Sequence, residues 1–191
     1  MYVRDGKSRD ETWLRAEVET MGLDTTAFQA DEYVIAVEES SDERAGFGRL
    51  RVHGDEPGVA ELTSIGVVKP WRDQGVGAHI LERLLTKSGD EGCKSAYILT
   101  DEPGYPAQFG FGQCPADDLP EPLVDRRDAK QAVVDDEIVA LTIDVDAFEM
   151  PPQLREAFKS ANAAGDEPTA DTEEDFGIDA ETATYKYDTG S

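Results

Sequence analysis

The chain has 191 residues, with Lys+Arg 18 against Asp+Glu 42, so its formal net charge is −24 and its pI is about 4.2. This length predicts one domain with enough chain to bury a core. Such a charge repels nucleic acid and anionic membrane surfaces, and no apolar run approaches the ~20 residues that a membrane span needs. We therefore expect neither partner.

The charge pattern and the cysteines indicate a cellular setting. Acidic residues are spread along the whole chain and arginines outnumber lysines, a pattern typical of haloarchaeal-like, halophilic proteins, in which concentrated salt screens self-repulsion. An acidic protein from an ordinary cell is the alternative. Cys93 and Cys114 lie far apart without metal-ligand spacing, and the N-terminus carries Arg4 instead of an apolar leader. We expect reduced thiols, no metal and a cytoplasmic location.

The N-terminal part predicts a strand, a helix and a hairpin. Met1 to Arg4 predicts a short strand. Ser8 and Glu11 have the spacing of a capping box with Ser8 as N-cap, and an apolar stripe of helical period runs to Met21. Two alternating segments then predict an antiparallel pair of strands, 33–37 and 45–52.

The middle of the chain predicts strands around a central helix. The predicted elements are a strand at 59–68, a helix at 75–88, a strand at 94–100, a helical turn at 106–109, a strand at 110–114, a loop at 115–130 and a strand at 138–145. This order predicts an α/β (α+β) fold whose sheet is largely antiparallel, with a parallel centre, and is flanked by helices.

The C-terminal part differs in composition. We predict a domain at 1–149, followed at 150–191 by a short helix (151–161) and an acidic tail. Apolar residues return near the end of the chain. This segment either docks on the domain or is a solvated tail, and the sequence leaves both open. These predicted anchors are Phe176, Ile178, Tyr185 and Tyr187.

The segment from Glu61 to Gly112 is the most informative. An apolar strand leads through a turn into a glycine loop that opens an amphipathic helix. The unpaired N–H groups and the dipole of a helix N-terminus attract anions, and glycine lets a pyrophosphate approach closely. A dinucleotide fingerprint needs a third glycine where Ile80 stands, and the Gly-Lys-Ser/Thr of a Walker A loop is also absent.

The remaining pattern, Arg72-x-x-Gly75-x-Gly77 after an apolar strand, resembles the acyl-CoA motif of the GNAT superfamily of N-acetyltransferases. Glu61 in the strand and the Gly110-Phe111 pair agree with that resemblance. It implies a bulge at Gly66 that splays the central strands, acetyl-CoA as co-substrate, and a backbone N–H near Val67 that polarises the thioester. The implied cofactor contacts are Ile65, Gly66, Val67, Arg72, Asp73, Gln74, Gly75, Val76, Gly77 and Ala78.

The resemblance also implies two catalytic residues. Glu61 stands where the family places a general base, and burial is expected to raise its pKa. Tyr105 is the candidate acid for the leaving thiolate, one residue from the family's usual position, which is Pro106 here. Asp73 is unusual in a phosphate loop and is expected to point to solvent or to cap the helix. His53 is a weaker candidate for contact with substrate.

The acceptor is predicted to be the primary amine of a small molecule. Short segments around Leu99, Phe111 and Leu119 are similar to the amino-acid acetylating branch, and arginines are suited to bind a carboxylate. The arginines proposed for that contact are Arg49, Arg51, Arg126 and Arg127. Polyamines and protein amines remain possible acceptors, and a homodimer is a possible assembly. The alternative function is a non-catalytic acyl-CoA-binding or interaction module of the same fold.

Overall fold

The computed structural model describes residues 1–163, which contain seven strands and five α-helices. The strands are β1 (Tyr2–Asp5), β2 (Tyr33–Val37), β3 (Arg44–His53), β4 (Val59–Val67), β5 (Ser95–Thr100), β6 (Gly112–Gln113) and β7 (Val139–Asp144). The helices are α1 (Glu11–Thr20), α2 (Val76–Asp90), α3 (Gly104–Ala107), α4 (Glu121–Gln131) and α5 (Pro152–Lys159).

The strands form one mixed sheet in the order β1-β2-β3-β4-β5-β7-β6. Neighbours are antiparallel except for the central pair, β4 and β5, which α2 connects as a crossover helix. The predicted fold class, largely antiparallel with a parallel centre, is therefore confirmed.

Helices cover both faces of this sheet. Along α2, apolar residues recur at helical spacing and are buried in the main core with one face of β4; they include Val76, Ile80 and Leu84. On the opposite face, α1 buries Leu14 and Val18 over β2 and β3. Helix α4 buries Leu123 over β5 and β7.

Two local predictions are wrong. Ser8 does not cap the first helix: it lies inside a 3-10 turn (Ser8–Asp10), and the buried Asp10 carboxylate accepts the Lys7 N–H at 2.9 Å instead. Residues 115–130 are not a loop, because they contain most of α4. Pro122 stands in the first turn of that helix, where proline loses no hydrogen bond.

The described part of the chain ends just after α5. Leu154 and Phe158 of this helix pack against the main core. Phe176, Ile178, Tyr185 and Tyr187 lie outside the described residues. Among residues 1–163, no helix combines the length and apolar character needed to cross a membrane.

Candidate active site

The central strands separate on the way to their carboxyl ends. Parallel pairing of β4 with β5 consists of Ala60↔Ala96 and Glu61↔Tyr97, at the start of β4. The later residues of β4 pair on their other side with β3, where Val67 faces Gly46 and Gly66 faces Phe47. In the described part of the chain, Ile65–Val67 therefore have no ladder partner on the β5 side, and this unpaired stretch between the strands is called the gap.

β4 contains a bulge, but it lies just before Gly66 and not at Gly66, where the resemblance had implied it. Between the pairs Phe47↔Gly66 and Arg49↔Thr63, β4 has one residue more than β3. The left-handed backbone falls on Ser64, whose φ is 47°, and not on Gly66. Gly66 serves close packing, because a Cβ there would lie 2.5 Å from Met21 Sδ and 2.7 Å from the Phe47 ring.

The glycine loop begins α2 beside this gap. Gly75 is the N-cap residue with a left-handed φ of 74°, and the first helical turn starts at Val76 without an acidic side chain. The first N–H groups of a 15-residue helix have no partner within the helix and lie at its positive end. The loop therefore has the local geometry that an anion-binding site requires.

The other predicted loop residues have different surroundings. Arg72 donates from Nε to the Val67 carbonyl at 3.1 Å, which ties the loop to the end of β4. Asp73 is exposed and has a left-handed φ of 60°. Gln74 donates to the carbonyls of Pro70 and Asn162, both at 3.1 Å. Val76 and Ala78 are buried in the core.

Tyr105 reaches the loop across the gap. It lies on α3, after β5, and its ring packs edge-on against Phe109 with centroids 5.1 Å apart. A Cβ built on Gly77 would lie 2.8 Å from the Tyr105 hydroxyl and 3.7 Å from a methyl group of Val67. The one-residue offset from the family pattern therefore does not keep the hydroxyl away from the end of β4.

Glu61 is fully buried and tightly held. Its carboxylate accepts hydrogen bonds from Arg126 Nη2 at 2.9 Å and Nε at 3.1 Å, and His53 Nε2 lies 2.7 Å from Oε2. Burial alone would raise the pKa of Glu61, but the hydrogen bonds from His53 and Arg126 outweigh it and lower the pKa to about 2. The expected rise in pKa is wrong, because the sequence did not show that α4 brings a guanidinium onto this carboxylate.

The four arginines proposed for substrate binding differ in their availability. Arg49 is buried and donates to Glu32 and to the carbonyls of Thr26 and Ala27, so its role is structural. Arg127 pairs with Asp128 at the surface, and Arg126 holds Glu61. Arg51 differs because one of its donors lacks an acceptor among the described residues.

Arg51 is a cation with an unmet hydrogen-bond donor. Its Nη1 is buried and has no hydrogen-bond acceptor among the described residues, although Asp24 Oδ2 lies 3.8 Å away. Burial and the nearby Arg126 and Arg49 lower the pKa of Arg51. Asp24 follows α1 and also pairs with Arg126, at 3.0 Å, so it joins α1 to α4. No sequence pattern had pointed to Asp24.

Comparison with known proteins agrees with this geometry. Residues 3–111, more than half of the chain, match the model of the Acetyltransferase (GNAT) family. Among solved structures, N-acetylglutamate synthase from Neisseria gonorrhoeae, complexed with coenzyme A and N-acetyl-glutamate, superposes with a TM-score of 0.61 at 20% identity. The match covers 75% of this chain and 34% of that one, so this chain spans about a third of the length of that synthase.

Two further structures are matched over nearly their whole length. Rv2747 from Mycobacterium tuberculosis, in complex with CoA and NLQ, has a TM-score of 0.63 at 17% identity, covering 75% of this chain and 99% of that chain. A GNAT-family acetyltransferase from Staphylococcus aureus Mu50 has a TM-score of 0.51 at 14% identity, with coverages of 75% and 98%. These identities establish a shared fold, and the family match identifies the chain itself: it belongs to the GNAT family of acetyltransferases.

Proposed function

We propose that this acetyltransferase uses acetyl-CoA to acetylate the primary amine of a small molecule that also carries a carboxylate, such as an amino acid. The observation that carries the proposal is the meeting of three features at one place. These are the gap beside Ile65–Val67, the glycine loop at the start of α2, and the Tyr105 hydroxyl between them.

The residues around this gap fit acetyl-CoA. The loop from Arg72 to Ala78 offers backbone N–H groups to a pyrophosphate, and the missing side chain of Gly77 lets the Tyr105 hydroxyl approach the loop closely. The β4 edge at Ile65, Gly66 and Val67 offers backbone groups to an extended amide-bearing arm. Bound acetyl-CoA would supply an activated acetyl group, and Tyr105 is placed to protonate the departing thiolate.

Transfer is proposed to be direct, without an acetylated cysteine. Cys93 precedes β5, at the end of the sheet opposite the gap, and its Sγ lies 3.3 Å from the Gly58 carbonyl. Burial raises the pKa of Cys93, and burial with Asp118 raises that of Cys114. Both groups are therefore neutral thiols at physiological pH, which are weak nucleophiles.

The polar cluster between α1 and α4 is the proposed acceptor site. Arg51 Nη1 is the donor without an acceptor there, and a substrate carboxylate would satisfy it. Glu61, with a pKa of about 2, is a weak base. We propose that it acts chiefly as a fixed negative charge that holds Arg126 and His53 and attracts the substrate ammonium group.

A matched amine panel tests the acceptor class. Free CoA is measured with a thiol reagent, at high KCl, for amino acids and for the amines that remain when their carboxylate is removed, such as phenylalanine against phenethylamine. We expect release above hydrolysis with amino acids and much less with the decarboxylated partners. Equal turnover of both partners would refute carboxylate recognition. The Arg51→Met variant should lose the preference for amino acids over the decarboxylated amines but should still release CoA faster than hydrolysis does.

A further inference from the structure

The C-terminal helix α5 lies directly on the glycine loop. Residues on this helix and just beyond it contact three successive parts of the loop and of the first turn of α2, namely Gln74, Gly75 and His79. The family match ends at residue 111, so α5 belongs to the part of the chain outside it. We propose that the segment Pro152–Asn162 is a positioning element that holds the loop in the shape that binds acetyl-CoA. This inference rests on the proposed function of the loop.

The first contact is a two-way clasp between Gln74 and the backbone of Asn162. Gln74 Nε2 donates to the Asn162 carbonyl at 3.1 Å, and the Asn162 N–H donates to Gln74 Oε1 at 3.0 Å. Gln74 Nε2 also lies 3.1 Å from the Pro70 carbonyl, on the turn that precedes the loop. The clasp therefore joins Gln74 and the turn before the loop to the chain beyond α5.

The second contact is between two backbone segments. A Cβ built on Gly75 would collide with the carbonyl oxygen of Leu154, so the two main chains approach as closely as a glycine allows. Gly75 is the left-handed residue that turns the loop into α2. Glycine can adopt many backbone conformations, and the main chain of α5 excludes some of them at Gly75 by close contact.

The third contact runs through His79. Its ring stacks on Phe158 with centroids 3.8 Å apart and planes 11° apart, and Nδ1 lies 2.8 Å from the Gly75 carbonyl. Burial lowers the pKa of His79, which favours a neutral ring with Nδ1–H as the donor. Phe158 is itself 6% exposed. Packing on α5 thus fixes the ring that holds Gly75.

These contacts bear on affinity through preorganisation. A loop that is already ordered loses less conformational entropy when a ligand binds. The same holds for each side chain that is already fixed before binding. Without α5, Gln74, Gly75 and His79 would need to be ordered by acetyl-CoA. We expect an affinity loss of about 3- to 10-fold when one of the contacts is removed, since 1.4 kcal/mol corresponds to tenfold.

Point variants of the full chain separate this role from general stability. Asn162→Pro removes the backbone N–H that binds Gln74, whereas the control Asn162→Ala keeps both backbone groups of the clasp. Phe158→Ala removes the stack on His79, with the exposed Lys159→Ala as its control. Acetyl-CoA affinity is measured by calorimetry, and hydrogen exchange of the Gly75–Ala78 amides is measured without ligand.

We expect Asn162→Pro and Phe158→Ala to weaken acetyl-CoA binding and to speed amide exchange in the loop, while both controls match the unaltered protein. If Phe158→Ala does not fold, the comparison of Asn162→Pro with Asn162→Ala still tests the proposal. Unchanged affinity and unchanged exchange in Asn162→Pro would refute the positioning role, and tighter binding would show that α5 obstructs the site. Failure of the unaltered protein to bind acetyl-CoA would instead refute the proposed function.

Discussion

Glu61 combines complete burial with a lowered pKa. Its carboxylate is ionised because Arg126 and His53 compensate the desolvation that would otherwise keep it protonated. Removal of one member of a buried ion pair is more costly than loss of a surface pair, because the other charge remains buried. Glu61 should therefore contribute to the stability of the fold, besides its proposed place in the acceptor site.

Glu61→Gln should therefore lower the free energy of unfolding by roughly 3 kcal/mol at neutral pH. The folded pKa of about 2 lies below the ordinary value of 4.5 for a glutamate, so the carboxylate's contribution is fully present above pH 4.5 and is lost as pH falls through about 2. Urea unfolding of both proteins at neutral and acidic pH measures the difference. A difference that stays constant down to the lowest pH would contradict the assigned pKa.

The two loop glycines differ in what surrounds them. Gly75 has a left-handed φ of 74° and lies against the Leu154 carbonyl, whereas Gly77 faces the hydroxyl of Tyr105. The tyrosine side chain can move, but the backbone of α5 cannot move without disturbing the core. The same added methyl group should therefore have unequal effects.

Gly75→Ala should destabilise the protein by more than the ~1 kcal/mol typical of an unfavourable left-handed residue and should abolish acetyl-CoA binding. Gly77→Ala should leave the melting temperature within a few degrees and weaken binding less. Calorimetric binding and thermal unfolding of the two variants provide the comparison. Equal losses in both would mean that the Leu154 contact is unimportant.

At the scale of elements, the predictions succeeded where apolar residues followed a clear period. The strand at 59–68 and the helix at 75–88 correspond to Val59–Val67 and Val76–Asp90, because both bury an apolar face in the main core. Helix α4 was missed for the opposite reason. Its sequence is mostly charged, with Leu123 as its fully buried apolar side chain.

The same contrast explains what was predictable in the site. The glycine loop is a local feature, so Gly75 and Gly77 were sufficient to indicate it, whereas Gly66 indicated a bulge in the right strand but not its position, which is at Ser64. The contacts of Glu61 with Arg126, and of Gln74 with Asn162, join positions 65 and 88 residues apart. Such pairs depend on tertiary packing, which one sequence does not reveal.

Helix α4 depends on a small apolar anchor, which can be tested. Leu123 is 0% exposed, and Leu123→Ala should destabilise the fold by about 2–5 kcal/mol, the range for a buried leucine. Val133, just beyond the helix and 59% exposed, provides the control, and Val133→Ala should cost little. Denaturant unfolding measures both. Similar small losses would show that α4 is held to the sheet chiefly by its charged residues.

The molecule as a whole carries a formal net charge of −24 on 20.9 kDa. At ~0.1 M salt the Debye length is ~10 Å, so neighbouring carboxylates repel one another, whereas at ~1 M it is ~3 Å and they are screened. We propose a halophilic protein on this basis. Its buried ion pairs are shielded from salt and should persist, as between Asp10 and both Arg4 and Arg44.

The melting temperature should therefore rise steeply from dilute buffer to concentrated KCl, and activity should rise with it. Thermal unfolding and CoA release are followed across the same KCl series. Lys159→Ala, which removes an exposed pair with Glu156, should change little at any salt concentration. Full stability and activity in dilute buffer would overturn the halophilic interpretation.

Release of free CoA, matched to the acetylated amine formed, tests the central claim most directly. The measurement compares the unaltered protein with Gly77→Glu, which places a carboxylate in the proposed phosphate cradle while leaving the rest of α2 in place. The account predicts stoichiometric CoA and acetylated amine from the unaltered protein with at least one amino acid, and release at the rate of hydrolysis from the variant. Hydrolysis-level release from the unaltered protein with every amine would contradict the account and favour a non-catalytic module that binds acyl-CoA.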